Sequence, residues 1–252
     1  MNHFFVKAEN ILKEKILING TDVNHIKNVL RMKIGEEMLL SDGEGNDYTC
    51  RIASIEENEI LCDIISREAS GTEPSVKFYL FQGLPKADKL EHIIQKSVEL
   101  GVYEIIPVET SRCIVKYDVK KQKSKIERWQ KIAESAAKQS RRGIIPQVTE
   151  IYSFKKALKY AADLDLVLIP YENYKDIQTS KDIIRSIHPG MRVGIFVGPE
   201  GGFEQSEVEL ACANAEEGGA KAQPISLGSR ILRTETAPLM LLSVLMFQME
   251  GQ

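Results

Sequence analysis

The sequence is poor in the residues that build metal centres and covalent staples. Four cysteines and four histidines occur in 252 residues. Cys50, Cys62, Cys113 and Cys212 are scattered, with no CxxC and no histidine pair nearby. Neither a zinc site nor a disulfide framework is therefore expected, and reduced thiols are. The histidines, at positions 3, 25, 92 and 188, are equally dispersed, and no pairing with a nucleophile can be read from them. HExxH, the GxSxG elbow and a paired-carboxylate motif are all missing, which argues against zinc proteases, α/β-hydrolases and glycosidases. No apolar run reaches transmembrane length, and the opening stretch MNHFFVKAENILKEK lacks the basic-then-apolar order of a signal peptide. A cytoplasmic protein with no membrane segment and no metal is the expectation.

What is present is ordinary for a folded chain: 43% hydrophobic and 27% charged residues. The charge is unevenly placed. Residues 1–70 carry 8 basic and 13 acidic side chains, residues 71–160 carry 18 and 10, and residues 161–252 carry 7 and 13. A basic middle between acidic flanks can hold a phosphate-rich partner by one face, or can be solvated helix surface.

The first seventy residues read as short strands, Glu36–Asp42, Asp47–Ile55 and Glu59–Ser66, separated by turn residues. One helical pattern, Asp22–Met32, has Asp22 as a possible N-cap and Gly35 beyond its end. Close-spaced strands suggest a small barrel over residues 1–70, and Arg67–Ser75 has the composition of a linker. Over 71–252 strands alternate with helices, so the class is α/β with buried parallel strands. The strands are VKFYLFQG, EIIPV, Leu164–Pro170, Met191–Gly198 and Ala220–Gly228. The helices KADKLEHIIQKSVELG and KSKIERWQKIAESAAKQS each carry one apolar face. Ligands of such folds sit at the carboxyl ends of the strands.

Two strand-end loops draw the eye. GPEGGF (Gly198–Phe203) has neither dinucleotide-fingerprint nor P-loop spacing. The helix after it opens with Glu204, Glu207 and Glu209, and either Ser206–Glu209 or Glu204–Glu207 fits a capping box. Those carboxylates complement the helix dipole themselves and repel phosphate. The turn suits a neutral or cationic ligand, or serves geometry alone. In SLGSRILRTETAP (Ser226–Pro238), Arg230 and Arg233 either pair with local acids such as Glu235, or clamp RNA phosphate and stabilise an anionic base. Arg141 and Arg142 close the basic helix, where structural capping competes with RNA contact.

Taken together, GPEGGF, LGSRILRTETA (Leu227–Ala237) and KIERWQKIAESAAKQSRR (Lys125–Arg142) resemble the RsmE family of 16S rRNA uridine(1498) N3-methyltransferases. NHIKNVLRMKIGE and HIIQKSVELGV fit its pattern as well. The chain departs from it at Asn2–His3, Asn24 and Val98, which bears on N-terminal RNA contacts more than on the reaction. The resemblance implies a PUA-like β-barrel RNA-binding domain, then a SPOUT methyltransferase domain with a trefoil knot, in a homodimer acting on the small ribosomal subunit. It implies S-adenosylmethionine held by Leu168, Pro170, Val197, Gly198, Pro199, Glu200, Gly201, Leu227, Gly228, Ile231 and Leu232. Arg233, with Arg230, becomes the catalytic candidate, and Arg31, Lys86, Arg112, Arg141 and Arg142 the RNA contacts. The charge-free helix Ala237–Met249 is the expected dimer interface. Competing classes are another SPOUT-type RNA methyltransferase, acting on a ribose 2′-hydroxyl or another base, and a non-catalytic RNA-binding assembly factor. A failure to bind S-adenosylmethionine would point to the latter.

Overall fold

A computed structural model describes residues 1–251, the side chain of Ala215 excepted. The chain forms two compact units, one of Met1–Glu73 with Ala137–Ile145, the other of Pro74–Ala136 with Pro146–Gln252. The division falls a few residues beyond the 70/71 boundary drawn from composition, and a short later segment counts with the first unit. Residues 67–69, assigned to a linker, extend the last strand of that unit instead.

The first unit is a five-stranded sheet of β1 (His3–Phe5), β2 (Lys15–Asn19), β3 (Glu37–Ser41), β4 (Asn46–Ile55) and β5 (Glu59–Ala69). Their order is β1-β3-β4-β5-β2, antiparallel except for β1 on β3. Alternation places Ile16, Ile18, Met38, Leu40, Cys50, Ile52, Ile60 and Cys62 in one core. The sequence reading omitted β1 and β2, whose KILIN and HFF segments are too short for a periodicity signal. The helix expected over 22–32 is α1 (Thr21–Asn24), continued by a single π turn (His25–Val29). Gly20, not Asp22, caps it. The Asp22 carboxylate instead receives Lys138 Nζ at 3.3 Å.

The second unit is built on parallel pairing among β6 (Lys77–Gly83), β7 (Val102–Glu109), β8 (Gln147–Val148), β9 (Tyr152–Ser153), β10 (Leu166–Pro170), β11 (Arg192–Val197) and β12 (Gln223–Ile225). The order is β12-β10-β11-β6-β7-β8, with β9 also on β7. Every pair in this sheet is parallel. Helices α2 (Lys89–Glu99), α3 (Val119–Ser140), α4 (Phe154–Ala161), α5 (Ile177–Arg185), α6 (Gln205–Cys212) and α7 (Ala237–Met249) complete the chain. The buried strands carry β-branched and aromatic side chains on both faces, as a covered parallel sheet requires. Phe81 and Phe196 stack across β6 and β11 with ring centroids 4.3 Å apart. The last expected strand shrinks from Ala220–Gly228 to three residues, and the rest of that stretch is loop. Among the described residues no helix is long and apolar enough to cross a membrane, and no cluster of three metal-ligating side chains occurs.

Candidate active site

The carboxyl ends of β10, β11 and β12 open onto one cavity of about 410 Å³. Its walls are three loops: Pro170–Lys175, Val197–Phe203 and Ser226–Thr234. Close backbone approach shapes it. A Cβ on Gly198 would lie 2.9 Å from the carbonyl carbon of Gly202, and one on Gly83, at the end of β6, 2.7 Å from Pro199 Cδ. Only glycine lets the turn fold back on itself and lets β6 reach it. Thr234, buried, ties the walls together. Its hydroxyl donates to the Gly198 carbonyl (2.7 Å) and accepts from the amide of fully buried Gln82 (3.0 Å).

The turn is no phosphate hole. Glu207 is buried at the start of α6, where its carboxylate accepts the amides of Glu204 (3.0 Å) and Ser111 (2.8 Å). The helix dipole is thus already matched by protein charge. Of the two capping boxes open in the sequence, the Glu204–Glu207 pairing is the one formed. Lys89 does reach the cavity, but its ammonium contacts Glu200 at 2.8 Å and Glu235 at 3.5 Å. Burial pushes the Glu200 carboxyl up, yet the hydrogen bonds from Lys89, from its own amide and from the Lys86 amide outweigh this and hold it below the usual range.

Of the residues assigned to the cofactor, Pro170, Val197, Gly198, Pro199, Glu200, Gly201, Leu227, Gly228, Ile231 and Leu232 line the cavity. Leu168 does not. It is fully buried in the middle of β10, between β11 and β12, so the wall begins two residues later. The backbone amides of Leu227 and of Ser229 through Leu232 have no hydrogen-bond partner among the described residues. A row of unpartnered N–H groups along a roomy, partly apolar, acid-bearing cavity fits a cofactor that is polar along its length and has no phosphate. Tyr171, Glu172, Tyr174, Lys175 and Lys89 also line it. Tyr171 and Glu172 belong to the loop Leu168–Glu172 that the family resemblance sets against the cofactor. Tyr174 and Lys175 were missed because they follow β10 without a motif, and Lys89 was counted only as basic charge.

Arg230 and Arg233 both line the cavity, are exposed, and have no ion pair among the described residues. The local pairing with Glu235 left open by the sequence is not made, because Glu235 faces Lys89. Of the other cations, Lys86 is exposed. Arg112 is exposed too, but donates to the Gly201 carbonyl at 2.8 Å and so braces the turn. Arg31 and Arg141 are exposed and hold left-handed backbone (φ 54° and 58°). That conformation costs a non-glycine residue about 1 kcal/mol and gathers at functional positions. Arg142 departs from expectation. It is 3% exposed and forms a bidentate pair with Glu73 (2.9 and 2.6 Å), whose carboxylate also takes the Gly143 amide. It is an internal tie of the first unit, not a surface cation for RNA.

An RNA methyltransferase domain model matches residues 72–246, and a model of the RNA methyltransferase PUA domain matches residues 18–65. The ribosomal RNA small subunit methyltransferase E of Bacillus subtilis is 40% identical over 92% of this chain and 90% of its own length. The chain belongs to that family. The enzyme of the same name from Mesomycoplasma hyopneumoniae is 34% identical, over 96% of this chain and 98% of its own. The crystal structure of ribosomal RNA small subunit methyltransferase E from Neisseria gonorrhoeae bound to S-adenosylmethionine superposes with a TM-score of 0.80. It is 31% identical and covers 98% of this chain and 97% of its own. The architecture is therefore a PUA-like unit and a parallel-sheet RNA methyltransferase unit.

Proposed function

We propose that this protein is an S-adenosylmethionine-dependent methyltransferase acting on N3 of a specific uridine, at the 1498-type position, of 16S rRNA in the small ribosomal subunit. The observation that carries the reading is the pair of unpaired guanidinium groups, Arg230 and Arg233, at a cavity walled by unpartnered backbone amides. When bound, S-adenosylmethionine supplies a methyl group activated by a positive sulfonium. The amides of Leu227 and Ser229–Leu232 hold the cofactor's polar groups, and Pro170 and Val197 give its apolar contacts. Neutral uridine carries a proton at N3 on its pairing edge, so the base must be unpaired and splayed out, and must lose that proton. Arg233 stabilises the resulting uracil anion or its neighbouring phosphate, and Arg230 shares the task or steadies the loop. Much of the acceleration then comes from orientation.

Arg31 and Arg141 of the first unit and Lys86 and Arg112 of the second are the proposed RNA contacts. The homodimer reading rests on α7. Leu241, Leu242 and Leu245 are buried within the unit, yet Met240, Val244 and Phe247 leave an exposed apolar stripe at i, i+4, i+7 spacing. Phe247 is 88% exposed, which a monomer leaves in water. The trefoil knot and the cytoplasmic location belong to the same reading.

The decisive experiment is methyl transfer to purified small subunits lacking the modification, mapped by position, with Arg233→Ala alongside. Methylation confined to N3 of one uridine, lost in the variant, is expected. Methylation at a ribose or another base refutes the assignment, and an Arg233→Ala enzyme of wild-type rate refutes the role given to Arg233.

A further inference from the structure

Lys89 is the first residue of α2, where the helix dipole disfavours a cation. What holds it there is acidic. Its Nζ is 2.8 Å from Glu200 Oε1 and 3.5 Å from Glu235 Oε2, so one ammonium joins the turn after β11 to the loop before α7. Glu235 Oε2 is closed to solvent and accepts no hydrogen bond among the described residues, which leaves Lys89 as the charge that compensates it. Glu235 stands two residues after Arg233 and five after Arg230 in one loop. It is the acid best placed by sequence to capture either arginine, and neither arginine is captured.

Building on the methyltransferase reading above, we propose that Lys89 is a positioning residue for methyl transfer. By holding Glu235 and Glu200 it keeps both carboxylates off Arg230 and Arg233, and leaves the two guanidinium groups free for the anionic substrate. The three groups sum to one negative charge; Lys89 and Glu200 line the cavity and Glu235 stands behind Lys89. Without Lys89 the sum is two, one of them on a carboxylate released beside the arginines. RNA then meets both a neutralised clamp and added repulsion.

The test compares Lys89→Met, Lys89→Arg and the double variant Lys89→Met/Glu235→Gln in the full-length protein, using the same purified subunits. Lys89→Met is expected to lose about tenfold in kcat/KM for the subunit, a factor suited to partly exposed charges. Lys89→Arg keeps most of the activity. The double variant recovers most of the loss, because the carboxylate that captures the arginines is gone. A Lys89 that merely staples two loops gives no such recovery, since the double variant lacks the staple too. Wild-type activity in Lys89→Met, or a double variant no better than the single, overturns the proposal. Should Lys89→Met not fold, Lys89→Gln keeps a hydrogen-bond donor for Glu200 and must show the same loss and the same recovery. A wild-type protein that methylates no subunit RNA defeats the functional reading instead, whereas an active wild type with indifferent variants defeats only this inference.

Discussion

Replacing Gly198 by alanine probes the cavity at its tightest point. The added Cβ would stand 2.9 Å from Gly202 C, 3.0 Å from Gly202 Cα and 3.2 Å from Phe203 N. These are backbone atoms, so no side-chain rotation relieves the clash. The Gly198 backbone does not hold a positive φ, so the penalty is one of space alone. Reaching an ordinary contact requires the two arms of the turn to part by roughly half an ångström or more, and overpacking of this kind costs about 1–3 kcal/mol. The arms cannot part freely, because Thr234 is bonded to the Gly198 carbonyl and Arg112 to that of Gly201. If the displacement falls on the cavity wall, S-adenosylmethionine binding weakens by about 5- to 150-fold. Isothermal titration calorimetry measures this, with thermal unfolding as the control for fold. Gly202→Ala is the comparison: it has open space around its Cβ but φ +66°, and so meets strain without a clash. A folded Gly198→Ala protein with wild-type cofactor affinity refutes the reasoning.

Further outcomes follow from groups away from the cavity. Arg142→Met leaves Glu73 without its bidentate partner, so the protein should lose about 3–5 kcal/mol of stability in urea unfolding; a change below 1 kcal/mol on the same scale would mean the pair is not formed. Glu104 is buried beside Tyr160, whose hydroxyl donates to it at 2.6 Å, and burial raises its carboxyl above the ordinary 4.5 despite that bond. A carboxyl raised on folding contributes stability below its unfolded value and loses it as pH climbs through the folded one. Glu104→Gln should therefore gain in Tm relative to wild type near neutral pH, with the difference shrinking toward pH 4; an equal difference at all pH values would contradict the assignment. Burial pushes the thiols of Cys50 and Cys62 up to about 12, so neither should react with a thiol reagent at pH 8 until the protein is unfolded. Labelling of either in the native state would show that the core of the first unit opens.

Much of the site was legible because its parts are local. A strand's β-branched run, the following glycines and the acidic helix start lie within twenty residues, and together they argued against a phosphate loop. In the structure Glu207 takes the amides of Glu204 and Ser111, and Glu200 pairs with Lys89. The strands of the second unit were legible for the same reason: burial on both faces leaves continuous apolar runs. Short pieces escaped. KILIN and HFF gain their strand character from pairing with β5 and β3, and those partners lie far along the chain. Arg142 misled because two adjacent arginines at a helix end look alike in sequence. Only folding turns one toward Glu73 and leaves the other in water.

The sequence by itself determined the α/β class and the family, since each depends on residue type and spacing over short distances. Tertiary structure alone decided how the charges pair. Lys89 opens α2 while Glu200 and Glu235 lie on two separate loops, and Coulomb attraction between partly buried groups is settled by ångströms in space. That placement determines which acids are occupied, and hence that Arg230 and Arg233 stand free at the cavity.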